Sequence, residues 1–600
     1  MTGARVAVVG AGMAGLTAAL RLAERGCAVT LYEAQPYLGG QFGAHSHGDG
    51  QFHEHCYHML LNWYRNFWQL AEDIGLERER DFDSRTAVRN LRAGQFPHTS
   101  ALTNPGSARF NNANFFSGVA SPPDVFLGGY TLVDLLTQRF PPGRILDEYS
   151  VNAFVQSRPY ASEGSALLQE ETLAKAFACP SYLSSARSYQ KFIKYGFRYP
   201  EPMLWLLKGD VERRFHRFLR GRLAALGCQI RTGCTVTEIV LGHAAPPPEA
   251  PVSMSAAAPT PPVPFRVTRL AYAPTTAEWD CLWGSELAPP PATPSGVTPG
   301  QDPVDYLILA VPPAGLGPII RDSNLVLPQL KLDFSRITKQ LRAEPMASLD
   351  LYFTRRLPGL PREHVVCLES EFSVSFIDNS QAWPNCDATV LNVVAADFEA
   401  LNSLARVEAF GLLLDDLRRY VPFDLADLDE NRTHFQANVG ETLFINEVGS
   451  DRWRPRTATP IPNVFLAGDY CLTVIDVTTV EGAVVSGLQA AEALRRRVLA
   501  DRRLPDDHPL ARPIEIVEPE AYPDLYPMAL KLCLAPWAYA AKGLSWLGEQ
   551  AGPRPSGRTP MDLAVLATRL ALAPYALGAD WVRTLWDLWG EALGGRGRRR

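Results

Sequence analysis

The amino-acid sequence predicts an α/β fold, and three observations support this prediction. Residues 5–32 combine two short apolar stretches with an intervening segment of helical periodicity. A buried-strand pattern occupies residues 305–311. A further apolar run at 464–467 leads into a helix-like stretch at 481–497. Strands that alternate with helices in this order are typical of a parallel sheet covered by helices.

The N-terminal elements are predicted to form the start of a β-α-β unit. The strand at residues 5–9 is rich in valine and ends at glycines, and residues 13–25 then carry helical periodicity. A second strand at 28–32 follows Gly26 and ends at Glu33. This order predicts two neighbouring parallel strands joined by a helix.

The turn after the first strand has the G-x-G-x-x-G pattern of a dinucleotide-binding turn. Gly10 permits the turn, Gly12 lets the backbone approach a pyrophosphate, and Gly15 allows close packing between helix and sheet. Met13 and Ala14 open the helix, whose N-terminal amides would face the phosphates. The pattern therefore predicts a Rossmann-type site.

Glu33, at the end of the second strand, limits which dinucleotide this site can bind. Its carboxylate can accept hydrogen bonds from both hydroxyls of an adenosine ribose. A 2'-phosphate is disfavoured because two anions would meet at short range. FAD and NAD, whose ribose carries no such phosphate, are the candidates.

The segment that follows decides between these cofactors by resemblance. Glu33, Ala34, Gly39, Gly40 and Gln41 resemble the E-A-x-x-x-x-G-G-R run of the FAD-containing amine oxidase and carotenoid desaturase superfamily. Gln41 stands where the family has arginine, so a cationic phosphate contact is missing there. The resemblance implies FAD as the cofactor and places these five residues at it.

A second motif, near residue 470, resembles the closing flavin motif of the same superfamily. Gly468 and Asp469 follow the last predicted strand, and Glu481, Gly482 and Ala483 open the predicted helix. The resemblance implies that Asp469 binds the ribityl and pyrophosphate region. It also implies that the helix near Gly482 stabilises negative charge on the reduced ring.

Val236 belongs to a predicted strand pair that resembles the adenine-contacting strands of the superfamily. Its backbone either contacts adenine, as the resemblance implies, or it is an ordinary buried strand residue. Together, these resemblances imply a Rossmann-type, two-dinucleotide-binding FAD domain, a mixed α+β substrate domain and a C-terminal helical extension.

The motifs also suggest where the domains begin and end. The region around the strand-like segment 265–271 is rich in Pro and Ala, which favours extended, solvated backbone. We assign the FAD-binding domain to residues 1–85, 206–243, 305–320 and 456–500, the substrate domain to 86–205 and 321–455, the Pro/Ala-rich insertion to 244–304, and amphipathic helices to 520–600.

Residues 52–66 are similar to the Y-E-x-G-L-H-x-F-x-G-x-Y-x-N stretch of phytoene and zeta-carotene desaturases. Four residues keep the family register: Glu54, His58, Tyr64 and Asn66. Cys56 and Asn62 stand where the family has glycines, so the local backbone and the clearance for substrate are expected to differ. Glu54, His58 and Tyr64 are our catalytic candidates, and no acid or base is assigned among them.

Several histidines in this region raise the question of a metal site: His45, His47, His53, His55 and His58. An extended chain turns neighbouring side chains apart, and the nearby acidic and thiol groups complete no known ligand spacing. We therefore predict no metal. By resemblance His58 faces the flavin or the substrate channel; otherwise it is a hydrogen-bonded loop histidine.

Composition excludes some partners and suggests a compartment. A net charge of -6 gives no reason to expect nucleic acid. The 10 cysteines are scattered without a C-x-x-C pair, which favours reduced thiols inside the cell. The N-terminus has no secretion signal pattern. We expect a cytoplasmic protein.

The C-terminal segments 528–547 and 563–593 are rich in Leu, Ala and Trp, but Pro or charged residues interrupt both. Neither offers the roughly 20 apolar residues that a spanning helix needs. Two interpretations stay open. The segments are amphipathic helices in a membrane interface, peripheral on the inner face, or they form a helical cap on the protein.

The resemblances imply a flavin-dependent oxidoreductase in which FAD accepts a hydride, and the lack of a nucleophile and base order fits chemistry carried by a cofactor. The leading hypothesis is dehydrogenation of a small apolar, isoprenoid or carotenoid-like substrate, with a quinone or oxygen as electron acceptor. Two alternatives are kept: a flavin amine oxidase, and a redox-neutral flavoprotein isomerase or lipid-binding protein.

Overall fold

The structure is a computed structural model. It describes residues 3–45, 53–54, 56–104, 120–138, 145–177, 180–243, 265–275, 281–282, 297–323, 325, 334–384, 386–437, 443–551, 581–582 and 585. His47 and His55, most of the predicted insertion and nearly all of the second predicted C-terminal helix lie outside these ranges.

The strands follow in chain order: β1 Arg5–Val9, β2 Ala28–Tyr32, β3 Ala44–His45, β4 His53–Glu54, β5 Leu60–Leu61, β6 Phe82–Arg85, β7 Val88–Leu91, β8 Ser100–Leu102, β9 Leu204–Leu207, β10 Gln229–Arg231, β11 Cys234–His243, β12 Phe265–Pro274, β13 Cys281–Leu282, β14 Gly300–Pro303, β15 Tyr306–Leu309, β16 Ala343–Glu344, β17 Ala347–Tyr352, β18 Val365–Cys367, β19 Val374–Asp378, β20 Val390–Ala395, β21 His434–Ala437, β22 Leu443–Phe444 and β23 Val464–Leu466.

The helices are α1 Met13–Ala23, α2 Arg65–Asp73, α3 Arg78–Asp81, α4 Pro122–Leu136, α5 Val151–Gln156, α6 Glu163–Phe177, α7 Ala186–Arg198, α8 Arg217–Ala225, α9 Pro313–Asp322, α10 Phe334–Gln340, α11 Arg406–Arg418, α12 Val480–Arg502 and α13 Leu525–Ala551. A π-helical turn, Glu212–His216, precedes α8.

Five parallel strands form a sheet in the order β10-β2-β1-β15-β23. Strands β1 and β15 are apolar along most of their length because both faces of the sheet are covered. Strand β15 ends before Pro312 and Pro313, and Pro313 begins α9. This sheet confirms the predicted α/β fold, and its strand order changes direction between β1 and β15, where such folds bind ligands.

Each face of the parallel sheet has its own covering layer. On one face Val8 and Ile308 cluster with apolar residues of α1, α8 and α12. On the other face Val9 and Leu309 cluster with the antiparallel sheet β11-β12-β14 and with α9 and α10. The result is a three-layer domain built from chain segments that lie far apart in the sequence.

A second large sheet has eight strands, in the order β13-β21-β17-β20-β19-β18-β7-β8. Alternation along β17 and β20 turns Leu349 and Leu391 towards α11, where they form an apolar core. Asp350 and Asn392, on the opposite face, adjoin the segment that contains β4, because Asp350 contacts His53. The sheet therefore carries a buried polar face beside the predicted catalytic candidates.

Helix α13 packs against α4 in antiparallel orientation. Lys531 Nζ lies 2.9 Å from Asp134 Oδ1, and the Ser545 hydroxyl donates to Asp124 Oδ1 at 2.7 Å. Ala535, with two other alanines of α13, packs on apolar residues of α4. Helix α13 therefore packs on the protein, as the interpretation of a helical cap predicts. Its outer face is exposed. No helix among the described residues is long and apolar enough to cross a bilayer.

Candidate functional site

The glycine turn connects the end of β1 to the start of α1. Gly10 has φ of +98°, a left-handed conformation that glycine adopts without strain. Gly15 packs directly on this turn, since a Cβ there would lie 1.9 Å from the Gly10 carbonyl oxygen. Among the described residues, a Cβ on Gly12 would meet only the Gly39 carbonyl oxygen, at 4.0 Å. The start of α1 is therefore open to a phosphate group.

Glu33 lies at the end of β2 and is held by backbone donors. Its Oε2 accepts from the Ala11 amide at 2.5 Å, and its Oε1 accepts from the Gln35 amide at 2.8 Å. The neighbouring Ala34 carbonyl accepts from the Thr275 hydroxyl at 2.7 Å. These two amides fix the Glu33 carboxylate beside the glycine turn, where a carboxylate can accept from ribose hydroxyls.

A second pair of glycines faces Gly12 across the start of α1. Gly39 and Gly40 have φ of +105° and +58°, and the Gly39 amide donates to the Ala11 carbonyl at 2.8 Å. A Cβ on Gly40 would lie 3.1 Å from the Gly12 Cα. Gln41 follows as a half-buried residue of a 3-10 turn. Two backbone segments without side chains thus border the same space.

His216, which the sequence interpretation missed, packs against this second glycine pair. Its Nε2 lies 2.5 Å from the Phe42 carbonyl oxygen, and a Cβ on Gly39 would come within 2.3 Å of that nitrogen. Burial lowers the pKa of His216 to about 4, so the ring is neutral and Nε2–H donates. The π-helical turn that positions His216 has no sequence motif, so only the structure could identify this contact.

The loop from β23 to α12 carries the closing motif. Gly468 has φ of +144°, and its amide donates to the Ser486 hydroxyl at 2.9 Å. Thr479 caps α12, because its hydroxyl accepts from the Gly482 amide at 3.0 Å. A Cβ on Gly482 would lie 2.3 Å from the Val477 carbonyl oxygen, so the first turn of α12 packs directly on the loop.

The closing motif carries two carboxylates whose pKa values are raised by burial. Burial raises the pKa of Asp469 to about 6. Burial also raises the pKa of Glu481, to about 7, although its carboxylate accepts from the Asn66 amide at 3.0 Å and the Phe67 amide at 2.8 Å. Glu481 therefore connects the start of α12 to the start of α2. Ala483, next to it in the same turn, is half-buried.

The two motifs meet through the packing of α1 against α12. Met13 and Ala14 are buried in the first turn of α1, and a Cβ on Gly487 would lie 2.2 Å from the Ala14 carbonyl oxygen. Such a close approach of two helix backbones requires a residue without a side chain. The structure therefore brings the glycine turn and the closing motif to neighbouring helices.

Glu54 and His58 form a half-buried pair near the second glycine turn. His58 Nδ1 lies 3.9 Å from Glu54 Oε2, and its ring centroid is 4.7 Å from that of Phe42. The Val211 amide donates to Glu54 Oε1 at 3.0 Å. Burial lowers the pKa of His58, but Cys56 and Glu54 outweigh it and raise that pKa above its ordinary value. Burial also raises the pKa of Glu54, so the two groups titrate as a coupled pair.

Tyr64 and Val236 occupy different parts of the domain. Tyr64 is buried at the N-cap of α2, and burial raises its pKa well above the ordinary value, so the phenol keeps its proton. Val236 is buried in β11, opposite Tyr272 and next to a β-bulge. Strand β11 begins at Cys234, whose amide donates to the Glu33 carbonyl at 2.8 Å, so Val236 lies two residues along the strand from a direct contact with Glu33.

The described residues fit FAD by their own geometry. An open helix start, a carboxylate fixed beside it and two facing glycine turns suit an adenosine diphosphate moiety. A second helix start, with the partly exposed Asp469 before it, suits the ribityl chain and the ring. The fold and the site define an FAD-dependent oxidoreductase.

Comparison with known proteins identifies the family. The sequence profile of flavin-containing amine oxidoreductases matches residues 13–250 and 291–495, and the chain belongs to this family. A 15-cis-phytoene desaturase from Synechococcus elongatus is 22% identical over 537 residues, covering 84% of this chain and 99% of the relative. A zeta-carotene desaturase from Synechocystis is 25% identical over 538 residues, covering 82% and 97%. The predictions of FAD and of the superfamily are confirmed.

Solved structures of amine oxidases share the fold. A putrescine oxidase with bound putrescine superposes with a TM-score of 0.55 at 16% identity and covers 84% of this chain and 99% of its own. Cyclohexylamine oxidase from Brevibacterium oxydans gives a TM-score of 0.55 at 13% identity, with 82% and 98% covered. Similarity at this level of identity shows the architecture, not the substrate.

Proposed function

We propose that the protein dehydrogenates an apolar, isoprenoid-like substrate. The observation that carries this proposal is the near full-length alignment with two carotenoid desaturases, which covers 97% and 99% of their own lengths. His58, which lies in the stretch that resembles a desaturase segment, packs beside Phe42, close to the second glycine turn. Identity of 22% and 25% supports the reaction class and leaves the particular polyene to experiment.

An apolar cluster adjoins the segment of Glu54 and His58, next to the buried polar face that carries Asp350, and this cluster suits an apolar substrate. Tyr57, Leu206 and Ile377 form an apolar cluster at this segment, between the second sheet and β9. Groups of this kind would exclude water from the reacting carbon atoms. FAD, when bound, supplies a hydride acceptor at its N5 position.

Dehydrogenation removes one hydrogen as hydride and a second as a proton, and a carbon–carbon double bond forms. The proton requires a base, and we propose the Glu54 carboxylate, with the protonated His58 ring 3.9 Å away to balance its charge. For the electrons that leave the enzyme, a quinone or oxygen is the proposed acceptor.

The test is anaerobic reduction of the purified holoenzyme by phytoene, zeta-carotene or squalene delivered in detergent. We expect the visible flavin absorbance to bleach, and Glu54→Gln to slow bleaching by about 100-fold or more, as loss of a general base does. Glu72→Gln, on the exposed side of α2, is the matched control and should react normally. Holoenzyme that keeps its absorbance with all three lipids would refute the proposal.

The same holoenzyme separates the alternatives. Peroxide release from a panel of amines, with no bleaching by polyenes, would assign an amine oxidase, the activity of the structural neighbours putrescine oxidase and cyclohexylamine oxidase. Turnover of a polyene without any change in flavin absorbance would assign an isomerase. Binding without turnover would assign a lipid-binding protein.

We also propose peripheral contact with a lipid surface through the outer face of α13. Cys533, Trp537, Ala540, Leu544 and Leu547 are exposed at spacings of three and four residues, so they form one apolar stripe. The lysines of this helix point the other way, since Lys531 and Lys542 bind Asp134 and the Ala161 carbonyl. A stripe with an exposed Trp and no cation suits the interfacial region of a bilayer.

Sedimentation with phosphatidylcholine vesicles tests this contact. The double variant Trp537→Glu, Leu544→Glu should bind vesicles at least about tenfold more weakly, because it removes two large apolar groups from the interface. Leu412→Glu, on the exposed face of α11, is the control and should bind as the wild type does. Equal binding of all three proteins would refute the proposed surface.

A further inference from the structure

Five buried or half-buried charged side chains connect α7 to the loop between β23 and α12. This charge cluster consists of Arg187, Lys191, Asp451, Arg454 and Asp476. Arg187 and Lys191 lie one turn apart on α7, and the Arg454 side chain is completely buried. None of these residues belongs to a motif that the sequence interpretation used. Buried charges are costly unless they are paired, so the cluster needs a physical explanation.

Arg454 holds the loop through its backbone. Its guanidinium donates to three consecutive carbonyl oxygens, those of Asp469 at 3.1 Å, Tyr470 at 3.1 Å and Cys471 at 2.7 Å. The guanidinium also lies 3.3 Å from Oδ1 of Asp476, which follows Asp469 by seven residues in the same loop. A planar group with five donors in fixed directions can connect both ends of a loop in this way, and a single ammonium cannot.

The cluster also extends to α7. Arg187 Nη1 lies 2.5 Å from Asp451 Oδ2, and Lys191 forms an ion pair with Asp476. Asp476 has φ of +57°, a left-handed conformation that is unfavourable for most residues with a side chain. Two cations on either side of its carboxylate keep the loop in this conformation. The position of α7 is therefore coupled to the loop shape.

We propose that Arg454 is a positioning residue for the flavin. It fixes the backbone that carries Asp469, the partly exposed carboxylate before α12, and it balances the charge of two buried carboxylates beside that loop. The inference rests on the placement of FAD at the start of α12, and it does not depend on the substrate class. Removal of the cation that holds the loop before α12 should lower the reduction potential of the bound flavin, because reduction adds negative charge to the ring.

The test measures FAD affinity and reduction potential for Arg454→Met, Arg454→Lys and the control Arg452→Met, an exposed arginine two residues away. We expect Arg454→Met to bind FAD at least about tenfold more weakly and to have a lower potential, since several charge-assisted hydrogen bonds are lost. Arg454→Lys should keep the wild-type potential and lose part of the affinity. Arg452→Met should match the wild type in both.

Folded Arg454→Met with wild-type FAD affinity and wild-type potential would overturn the proposal. If Arg454→Met does not fold, Lys191→Met decides, because it removes only the half-exposed contact from α7 to Asp476. The proposal then requires weaker FAD binding in Lys191→Met, and unchanged binding would overturn it. FAD affinity and reduction potential are measured without substrate, whereas the desaturase proposal is tested by bleaching with lipids. Failure of one proposal can therefore be distinguished from failure of the other.

Discussion

At the scale of single residues, one glycine of α1 and one of α12 allow close backbone contacts around the cofactor site. A Cβ on Gly15 would collide with the Gly10 carbonyl, and a Cβ on Gly487 would collide with the Ala14 carbonyl. In both cases the obstructing atom belongs to the backbone, so no side chain can move aside. The helix starts that border the cofactor site therefore depend on these two positions.

Gly487→Ala should destabilise the protein by about 1–3 kcal/mol, because α1 and α12 must separate to accommodate the methyl group. FAD content after purification should fall with it. Urea unfolding of the holoprotein and the ratio of flavin to protein absorbance measure both effects. Gly221→Ala in α8 is the control, since its Cβ would meet no described atom within 4 Å. An unchanged Gly487→Ala protein would contradict the close helix contact.

Asp469 should make the stability of the FAD-free protein depend on pH. Its folded-state pKa of about 6 exceeds the ordinary 3.8, so the folded state binds the proton more tightly. Stability therefore falls as pH rises from about 4 to 6 and then levels off. Relative to Asp469→Asn, the wild type should lose on the order of 1 kcal/mol between pH 5 and pH 7.

Urea unfolding of both FAD-free proteins at the two pH values measures this difference. Asp507→Asn, at an exposed position, is the control and should follow the wild type at both pH values. A stability difference between wild type and Asp469→Asn that is the same at pH 5 and pH 7 would contradict the raised pKa.

At the scale of elements, α13 is an amphipathic helix whose polar groups face inward. Lys531 is only 4% exposed and pairs with Asp134, which also accepts from the Tyr160 hydroxyl at 2.6 Å. Asp124 receives the Ser545 hydroxyl near the other end of the contact. The apolar amino acids of this segment predicted a helix, but the direction of its faces depends on carboxylates that lie far away in the sequence.

Lys531→Met should cost about 3 kcal/mol of unfolding free energy, because the buried Asp134 carboxylate loses its nearer cation and keeps only Arg158, whose Nε lies 3.6 Å from Asp134 Oδ2. Adding Asp134→Asn should recover part of that loss. Thermal unfolding of the two variants and of Lys339→Met, an exposed lysine in α10, checks the expectation. If Lys531→Met unfolds at the wild-type temperature, the helix does not dock through this pair.

At the scale of the whole molecule, local patterns predicted the elements around the glycine turns. Strands β1, β2, β15 and β23 and helices α1 and α12 all have apolar runs or helical periodicity with glycine or proline at their ends. Strand β10 has no apolar run, since it contains Gln229 and Arg231, and it is predicted only by resemblance, as part of the strand pair that includes Val236; its parallel pairing with β2 is known only from the structure. The order of the eight-stranded sheet likewise depends on contacts between distant segments.

The candidate site likewise contains residues that the sequence could indicate and residues that only the structure could identify. Glu33 and Gly482 belong to motifs with fixed spacing, so the sequence could indicate them. His216 and Arg454 reach the site from outside any motif, through a π-helical turn and through hydrogen bonds to loop carbonyls. Their role follows from where the backbone of other segments lies, and spacing along the chain carries no such information.

The central claim is that one FAD binds between the glycine turn at Gly12 and the start of α12 near Gly482. The visible absorbance spectrum of the purified protein, with chromatography of the released cofactor, tests it most directly. We expect a yellow protein that releases one equivalent of FAD. A protein that is colourless after purification, and remains so after incubation with FAD, would contradict the claim.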